Sequence, residues 1–233
     1  MKASPLATRL GAEFGIVVIG VMVALWADGW AAARGDRAVE RARLAALRED
    51  VVSTLEQVRD ERENAEGAIA SLRGLLPEVT AGLPRDELRD RIGYGMLYGS
   101  DFHPELSVYD DLKNSGELGL LTDPALRRTL SVMDARLERL RLRQDDLLTV
   151  QQLNVDPYLL RNAPVRAIAA GFLDIDPGSD AEAFDFAAAR TREFENLVVF
   201  KLDLVIQVAL SFAAIDEALA QVRDHIDRDL EDE

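Results

Sequence analysis

The chain has 233 residues, which is enough for one domain with a buried core and a short appendage. Hydrophobic residues make up 48% and charged residues 30%, which excludes both a disordered polymer and a protein that crosses a membrane several times. The net charge of −15 disfavours nucleic acid as a partner, because an acidic surface repels phosphate backbones.

An apolar stretch near the N-terminus, EFGIVVIGVMVALWADGW over residues 13–30, predicts a membrane anchor. Its central part carries no charged side chain, and a helix over 13–33 is long enough to cross a hydrocarbon layer of about 30 Å. Amphipathic rings and a carboxylate that can reach water favour the headgroup zone. The residues expected at the membrane interface are therefore Trp26, Asp28 and Trp30.

The anchor divides the chain into three parts. They are a tail over 1–12, the anchor over 13–33 and a helical domain over 34–230. A cleaved signal peptide is the alternative, since small residues at Ala31 and Ala33 follow the apolar run. Glu13 beside that run and two tryptophans in the would-be cleavage region disfavour cleavage.

Small residues in the anchor recur at the four-residue spacing that lets membrane helices approach closely. The pairs are Gly11 with Gly15 and Gly20 with Ala24. This spacing predicts that the span packs against another helix, either in a second copy of the chain or in a larger membrane complex.

A long amphipathic helix is expected after the anchor. Apolar residues recur at steps of mostly three and four from Leu44 to Leu76, and Pro77 ends the run. Because no proline lies between Trp30 and Pro77, we expect this stalk helix over 34–76 to continue from the anchor.

Four further helices follow in the prediction. They are expected over about 85–97, 105–114, 124–154 and 181–228. Thr122 or Asp123 caps the third of these, with Pro124 at its first position, and Gly116 ends the second in a left-handed conformation. Turn residues predict breaks over 156–180. No stretch has the alternating pattern of a strand, so the predicted class is all-α, a helical bundle.

The middle of the last helix is apolar nearly all round and raises the question of a second span. Lys201, Asp203 and Gln207 lie near its centre, where charged and polar groups are expensive in lipid. We therefore predict a core helix of a soluble bundle.

Two blocks of the chain resemble domain-of-unknown-function family 6090 of bacterial membrane proteins. The matching positions are Glu13, Phe14, Ile16, Val17, Val18, Gly20, Val21, Ala24, Leu25, Trp30, Tyr109, Leu112, Ser115, Gly116, Leu118, Leu126 and Arg127. The resemblance implies a single-pass protein of the bacterial inner membrane with a cytoplasmic N-terminus and a periplasmic domain. Charge count alone favours the opposite orientation, since four arginines closely follow the anchor and two basic residues precede it. The resemblance implies no activity.

Three motifs are candidates for chemistry. The loop DFHPE places Asp101, His103 and Glu105 at alternating positions, as in a divalent-metal site, but with one local histidine a solvated loop is favoured. Arg136, Arg139 and Arg143 on one helix could face an acidic partner or lipid headgroups, although interspersed acidic residues favour a salt-bridged face. The third motif is a group of tyrosines, Tyr94, Tyr98 and Tyr109. Tyr109 is expected to pack inward as part of the core. Alternatively, the three tyrosines line a ligand pocket.

Among 42 acidic residues no carboxylate pair stands out, so we predict no enzyme, no cofactor and no metal. The first functional hypothesis is a membrane-anchored accessory or assembly protein that packs with itself or with a larger inner-membrane complex. The alternative is a periplasmic, sensor-like module that binds a ligand. A small channel is disfavoured, because the span lacks polar residues that could line a pore.

Overall fold

The computed structural model of the chain describes residues 5–80, 83–178, 189 and 191–231. In its N-terminal helix, side chains are described from Val21 onward, apart from those at 27, 29, 31–33 and 36. The regular elements in these ranges are all helices, which confirms the all-α class.

Eight α-helices are described. They are α1 Pro5–Arg73, α2 Pro77–Thr80, α3 Arg85–Arg91, α4 Ser107–Asn114, α5 Pro124–Val150, α6 Asp156–Asn162, α7 Val165–Leu173 and α8 Arg192–Glu231. Two π-helical turns extend helices: the first π turn, Ile92–Met96, follows α3, and the second π turn, Gln151–Val155, follows α5. A 3₁₀ turn, Glu117–Leu120, follows α4.

Helix α1 is continuous from the predicted anchor into the bundle, which confirms the expected stalk. Gly35 lies within it without a break, because one glycine in a helix of 69 residues costs only about 1 kcal/mol. The helix ends at Arg73, and Pro77 begins the next short helix, as expected of a residue that suits a first helical turn.

The core forms where α8 packs between α1 and α5. Arg59 of α1 pairs with Asp216 of α8 at 2.9 Å, and Arg136 of α5 pairs with Glu217 of α8 at 3.1 Å. Arg48, earlier in α1, pairs with Asp227, later in α8. Asp123 at the start of α5 lies 3.2 Å from His225 of α8. Helices α1 and α5 therefore run the same way and α8 returns between them. Fully buried core side chains include Leu47, Val58, Leu72, Leu126, Met133, Val205, Phe212 and Leu219. Burial of this kind is worth about 1.5–3 kcal/mol per large apolar side chain.

Among the described side chains, one helix, α8, is long and apolar enough to cross a membrane. Of its most apolar window, 44% is buried inside the bundle. Its apolar surface covers both α1 and α5, because a helix between two neighbours needs apolar residues on more than one face. We therefore describe α8 as the core helix of the bundle.

Local start and stop signals account for several boundaries. Asp123 caps α5 by accepting hydrogen bonds from the backbone N–H groups of Ala125 at 2.7 Å and Leu126 at 3.1 Å. Gly116 ends α4 with a φ of 76°, which a residue without Cβ adopts without strain. Both features agree with the sequence prediction.

Two helix predictions were wrong. The region 156–180 was expected to be broken, yet it contains α6 and α7. Pro157 fits at the start of α6 because the second π turn shifts the hydrogen-bond register just before a residue that has no N–H.

The last helix begins at Arg192 rather than near 181. Thr191 acts as its cap, since its hydroxyl accepts from the Phe194 N–H at 3.1 Å. The expected first turns at 181–188 lie outside the described residues.

One helix is capped by a side chain from another helix. Asp50 of α1 accepts a hydrogen bond from the Val108 N–H at 2.8 Å and another from the Ser107 hydroxyl at 3.3 Å. Leu106, which precedes α4, has no side chain able to cap it. Asp50 therefore fixes the start of α4 on the surface of α1.

Candidate functional site

A lysine is fully buried at the end of the bundle farthest from the anchor, which we call the distal end. Lys201 of α8 has no exposed surface. Its ammonium donates hydrogen bonds to the backbone oxygens of Met96 and Tyr98, each at 2.8 Å, and to the side-chain oxygen of Gln151. A buried charge is tolerated when its donors find acceptors, as they do here.

The two π turns supply these acceptors. The first π turn ends at Met96, where the last carbonyls of a helix have no partner within it and carry partial negative charge. Gln151 lies in the second π turn, and its amide donates in turn to Asp156. Lys201 thus ties three separate parts of the chain together. Single π turns in helices are frequently found at functional sites, so the distal end is a candidate for one.

Burial lowers the pKa of Lys201 to about 7, and the nearby carboxylate of Asp156 opposes that shift. A lysine titrating in this range is held away from water rather than solvated. The described arrangement gives it no open path to a substrate, since its hydrogen-bonding partners enclose it. Its geometry therefore favours a positioning role.

What Lys201 positions is the segment 96–101, which forms a wall shared by two clefts. The α1/α7 cleft, of about 540 Å³, lies between α1, the first π turn and α7. The α5 cleft, of about 560 Å³, lies between the same segment and α5. Gly99 and Asp101 line both. Both volumes fall within the range of small-molecule sites.

The α1/α7 cleft combines aromatic, apolar and acidic groups. Tyr94, Leu97 and Tyr98 come from the first π turn and the residues after it, and Glu61 comes from α1. Desolvation raises the pKa of Glu61, and the charges of Asp101 and Asp60 raise it further. Burial, together with the charge of Glu61, raises the pKa of Tyr98 to about 12. The Tyr98 hydroxyl is therefore a neutral group at ordinary pH.

The close approach of the first π turn to α1 shapes this cleft. A Cβ at Gly95 would lie 3.1 Å from the Leu72 backbone nitrogen, so a larger residue would push the turn away from α1. Tyr94 lies against α1 in the same way, since its ring edge is 3.4 Å from the Cβ position of Gly67. Within GYGMLYG, Gly95 therefore serves close packing between the first π turn and α1, whereas a Cβ at Gly99 would meet nothing within 4 Å.

The α5 cleft has mixed charge. Arg141, His103 and Asp145 line it, and Gln144 donates to the Ser100 hydroxyl at 3.0 Å across its wall. Asp101 lines it as well, so Arg141 offsets one of two carboxylates and the cleft is less negative than the α1/α7 cleft.

The residues weighed as candidate metal ligands, for which the sequence favours a solvated loop, do not assemble into a site. Asp101, His103 and Glu105 are exposed, and the His103 ring nitrogen lies 2.5 Å from the backbone oxygen of Asp101. Within residues 5–80, 83–178, 189 and 191–231, no group of three histidine or acidic side chains is placed to hold a metal ion.

The three tyrosines separate in the fold. Tyr94 and Tyr98 line the α1/α7 cleft, whereas Tyr109 is buried in α4 with Lys113 5.7 Å from its ring centre. Tyr109 packs inward as predicted, and the suggested pocket forms without it.

The arginines of α5 are partly used inside the molecule. Arg136 donates to the Ala214 backbone oxygen and pairs with Glu217, both in α8. Arg143 pairs with Asp146 one turn along its own helix at 3.5 Å, and Arg139 is exposed. A partner face made of these arginines stays a prediction.

The anchor residues fall into two groups. The side chains of Gly11, Gly15 and Gly20 lie outside those described, whereas Ala24 is exposed. The interface residues Trp26, Asp28 and Trp30 are also exposed. Trp30 is covered on one side by the Arg34 guanidinium, 4.3 Å from the ring centre.

These features define a helical bundle carried on a long N-terminal helix, with two clefts at its distal end. Comparison with known proteins matches no family model, no curated protein and no solved structure. The resemblance to family 6090 therefore stays a prediction.

Sequence reasoning missed the buried lysine as the organising group of the distal end. Its signal was present, because Lys201 is a lone cation within the apolar run LVVFKLDLVI. A cation in such a run must find buried acceptors, but a sequence does not indicate which segments supply them.

Proposed function

We propose that the protein is a single-pass protein of the bacterial inner membrane that acts as a non-catalytic accessory or assembly subunit. Its anchor spans residues 13–33, and its bundle lies in the periplasm. The observation that carries this proposal is the exposure of six consecutive apolar residues, 21–26, in a helix whose apolar stripe is buried from Leu44 onward. A helix that exposes apolar residues on every face suits lipid rather than a neighbouring protein helix.

Association through the span is the second element of the proposal. Gly20 and Ala24 lie one turn apart, and small residues at this spacing allow backbones to approach in lipid. The partner is either a second copy of the chain or a helix of a larger membrane complex.

Native mass spectrometry of the full chain, extracted gently from its own membranes, tests both elements. We expect an intact chain in a defined assembly that is weakened when Gly20 and Ala24 are both replaced by leucine. Val23→Leu is the matched control, since it adds bulk to the same helix at a residue that is already large. Unchanged assembly in the Gly20/Ala24 variant contradicts packing through the span, and a chain starting near Arg34 contradicts the anchor.

The α1/α7 cleft favours a second candidate, a ligand-binding, sensor-like module. In the same extraction experiment this candidate predicts a monomeric protein that keeps a small molecule.

A further inference from the structure

We propose that the α1/α7 cleft binds an organic cation, a protonated or quaternary ammonium group attached to an apolar body. This inference deepens the second candidate function and rests on it. It follows from the chemistry of the walls, the sign of the charge within them and one buried hydroxyl.

The walls suit an apolar body and a cation together. The wall is more apolar than polar, with Leu97 on one side and Leu173 of α7 on the other. Tyr94 and Tyr98 add two aromatic rings, and the faces of such rings attract ammonium groups. The cleft volume of about 540 Å³ accommodates a ligand of several carbon atoms.

The charge in the cleft has one sign. Glu61 and Asp101 both line it, and none of the described residues that line it is basic. The two carboxylates interact with each other, since the charge of Asp101 opposes ionisation of Glu61. A cation placed between them removes that repulsion, so ligand binding and full ionisation of the pair support each other.

A buried hydroxyl adds a polar contact. The Tyr98 hydroxyl is shielded from solvent, and its only side-chain hydrogen bond among the described residues is a weak one with Ser100, which leaves its oxygen able to accept another. A buried polar group with too few partners is costly, and an ammonium N–H can donate to its oxygen. The segment that carries Tyr98 is held by Lys201 through its backbone oxygen, so the ring has a fixed position.

The α5 cleft is the internal comparison. It has a similar volume and also two carboxylates, Asp101 and Asp145, but Arg141 in its wall offsets one of them, and none of the described residues that line it is a tyrosine. A cationic ligand is therefore expected in the α1/α7 cleft and not in the α5 cleft.

The test titrates the full-length protein in a non-ionic detergent with phenethylammonium, and in parallel with phenethyl alcohol. The two probes have the same shape and differ in charge, and calorimetry against empty micelles removes partitioning into detergent. We expect the ammonium to bind about tenfold or more tightly than the alcohol, because the carboxylates and the aromatic rings attract its positive charge. This comparison needs no variant.

Variants then locate the binding. The double substitution Glu61→Gln with Asp101→Asn is expected to weaken ammonium binding about tenfold, and Tyr94→Ala about threefold. Tyr94→Phe keeps the ring and is expected to stay near wild type. Glu63→Gln is the matched control, since Glu63 is exposed on α1 and does not line the cleft.

Equal binding of the two probes, or an equal loss from the Glu61→Gln/Asp101→Asn variant and from Glu63→Gln, overturns the assignment of a cation while a ligand-binding module still stands. If neither probe binds, both the assignment of a cation and the ligand-binding module are overturned. The anchored accessory function is independent of either result.

Discussion

Two parts of α1 belong to one helix but differ in exposure: the described side chains from Val21 to Val39, which we call the first half, and those from Leu44 to Leu72, the second half. In the first half the apolar side chains are 54% exposed at Val21, 67% at Leu25 and 72% at Trp26. In the second half every apolar residue of the stripe from Leu44 to Leu72 is at most 4% exposed or packed against the core. Apolar content alone does not therefore decide what covers a helix.

The difference lies in the pattern. The second half has apolar residues at steps of three and four, so its stripe lies on one side of the helix, where α8 and, at Leu72, the first π turn cover it. The first half has them at every position from 21 to 26, and no single protein neighbour covers all faces of a helix. A bilayer does, and this is the physical basis of the proposed anchor.

The largest expected effect comes from truncating one leucine in each half. Leu47→Ala is expected to reduce the free energy of unfolding by about 2–5 kcal/mol, because it leaves a cavity in the core. Leu25→Ala is expected to change it by less than about 0.5 kcal/mol, since Leu25 is 67% exposed. Urea unfolding of the full chain in detergent, followed by far-ultraviolet circular dichroism, measures both. Similar losses in the two variants would mean that the first half also packs on protein.

The next effect concerns the one fully buried charge among the described core residues. Because the pKa of Lys201 in the folded protein is about 7 and its ordinary value is 10.5, the unfolded chain binds more protons between these values. Wild-type stability should rise with pH in this window, relative to Lys201→Met, by at most about 1.4 kcal/mol per pH unit. Below the folded pKa the difference should be constant.

The same unfolding measurement, repeated at several pH values on wild type and Lys201→Met, checks this slope. A difference that does not change with pH would contradict the titration of Lys201. Lys201→Met also leaves the carbonyl oxygens of Met96 and Tyr98 without their donor, so it should loosen the segment 96–101 and weaken probe binding in the α1/α7 cleft.

A smaller effect is expected at the cap that α1 provides for α4. Asp50→Ala removes the acceptor of the Val108 N–H and should reduce stability by about 1 kcal/mol. Asp60→Ala, an exposed aspartate on the same helix, is the control and should be nearly neutral. Amide hydrogen exchange should show faster exchange at the start of α4 in the Asp50 variant alone. Equal effects of the two variants would contradict the proposed role of Asp50 as the cap of α4.

The smallest effect belongs to the surface ion pairs of the second half. Arg59 and Asp216 lie 2.9 Å apart with partly exposed side chains, and solvent screens such pairs. A double-mutant cycle with Arg59→Ala and Asp216→Ala should give a coupling of about 0.2–1 kcal/mol that falls with added salt. A coupling several times larger would mean that α8 is held to α1 by charge rather than by apolar burial.

Local signals predicted much of the fold correctly. The stalk, the cap at Asp123 and the left-handed Gly116 each depend on residues within a few positions, which a sequence displays directly. Helices α6 and α7 were missed because proline and glycine there indicate breaks, and packing on the bundle overrides that indication.

The candidate site depends on distant residues and could not be predicted in the same way. Lys201 contacts residues 105 and 50 positions away in the chain at Met96 and Gln151, and Asp50 caps a helix 58 positions away. The sequence contains no pattern that indicates the two π turns, which bring these groups together. The tyrosines were named from the sequence as a possible pocket, and one of the three lies elsewhere; Asp101 of the cleft was named only as a candidate metal ligand.

The two tryptophans of the chain offer the most direct measurement of the central claim, because both lie at the proposed membrane interface and no others contribute fluorescence. The full chain is reconstituted into lipid vesicles, and its fluorescence is measured with lipids brominated near the headgroup or deep in the acyl chain. The anchor predicts blue-shifted emission that is quenched more strongly by the shallow label than by the deep one. Emission typical of water, unaffected by either label and quenched by aqueous iodide, would contradict an anchor over 13–33.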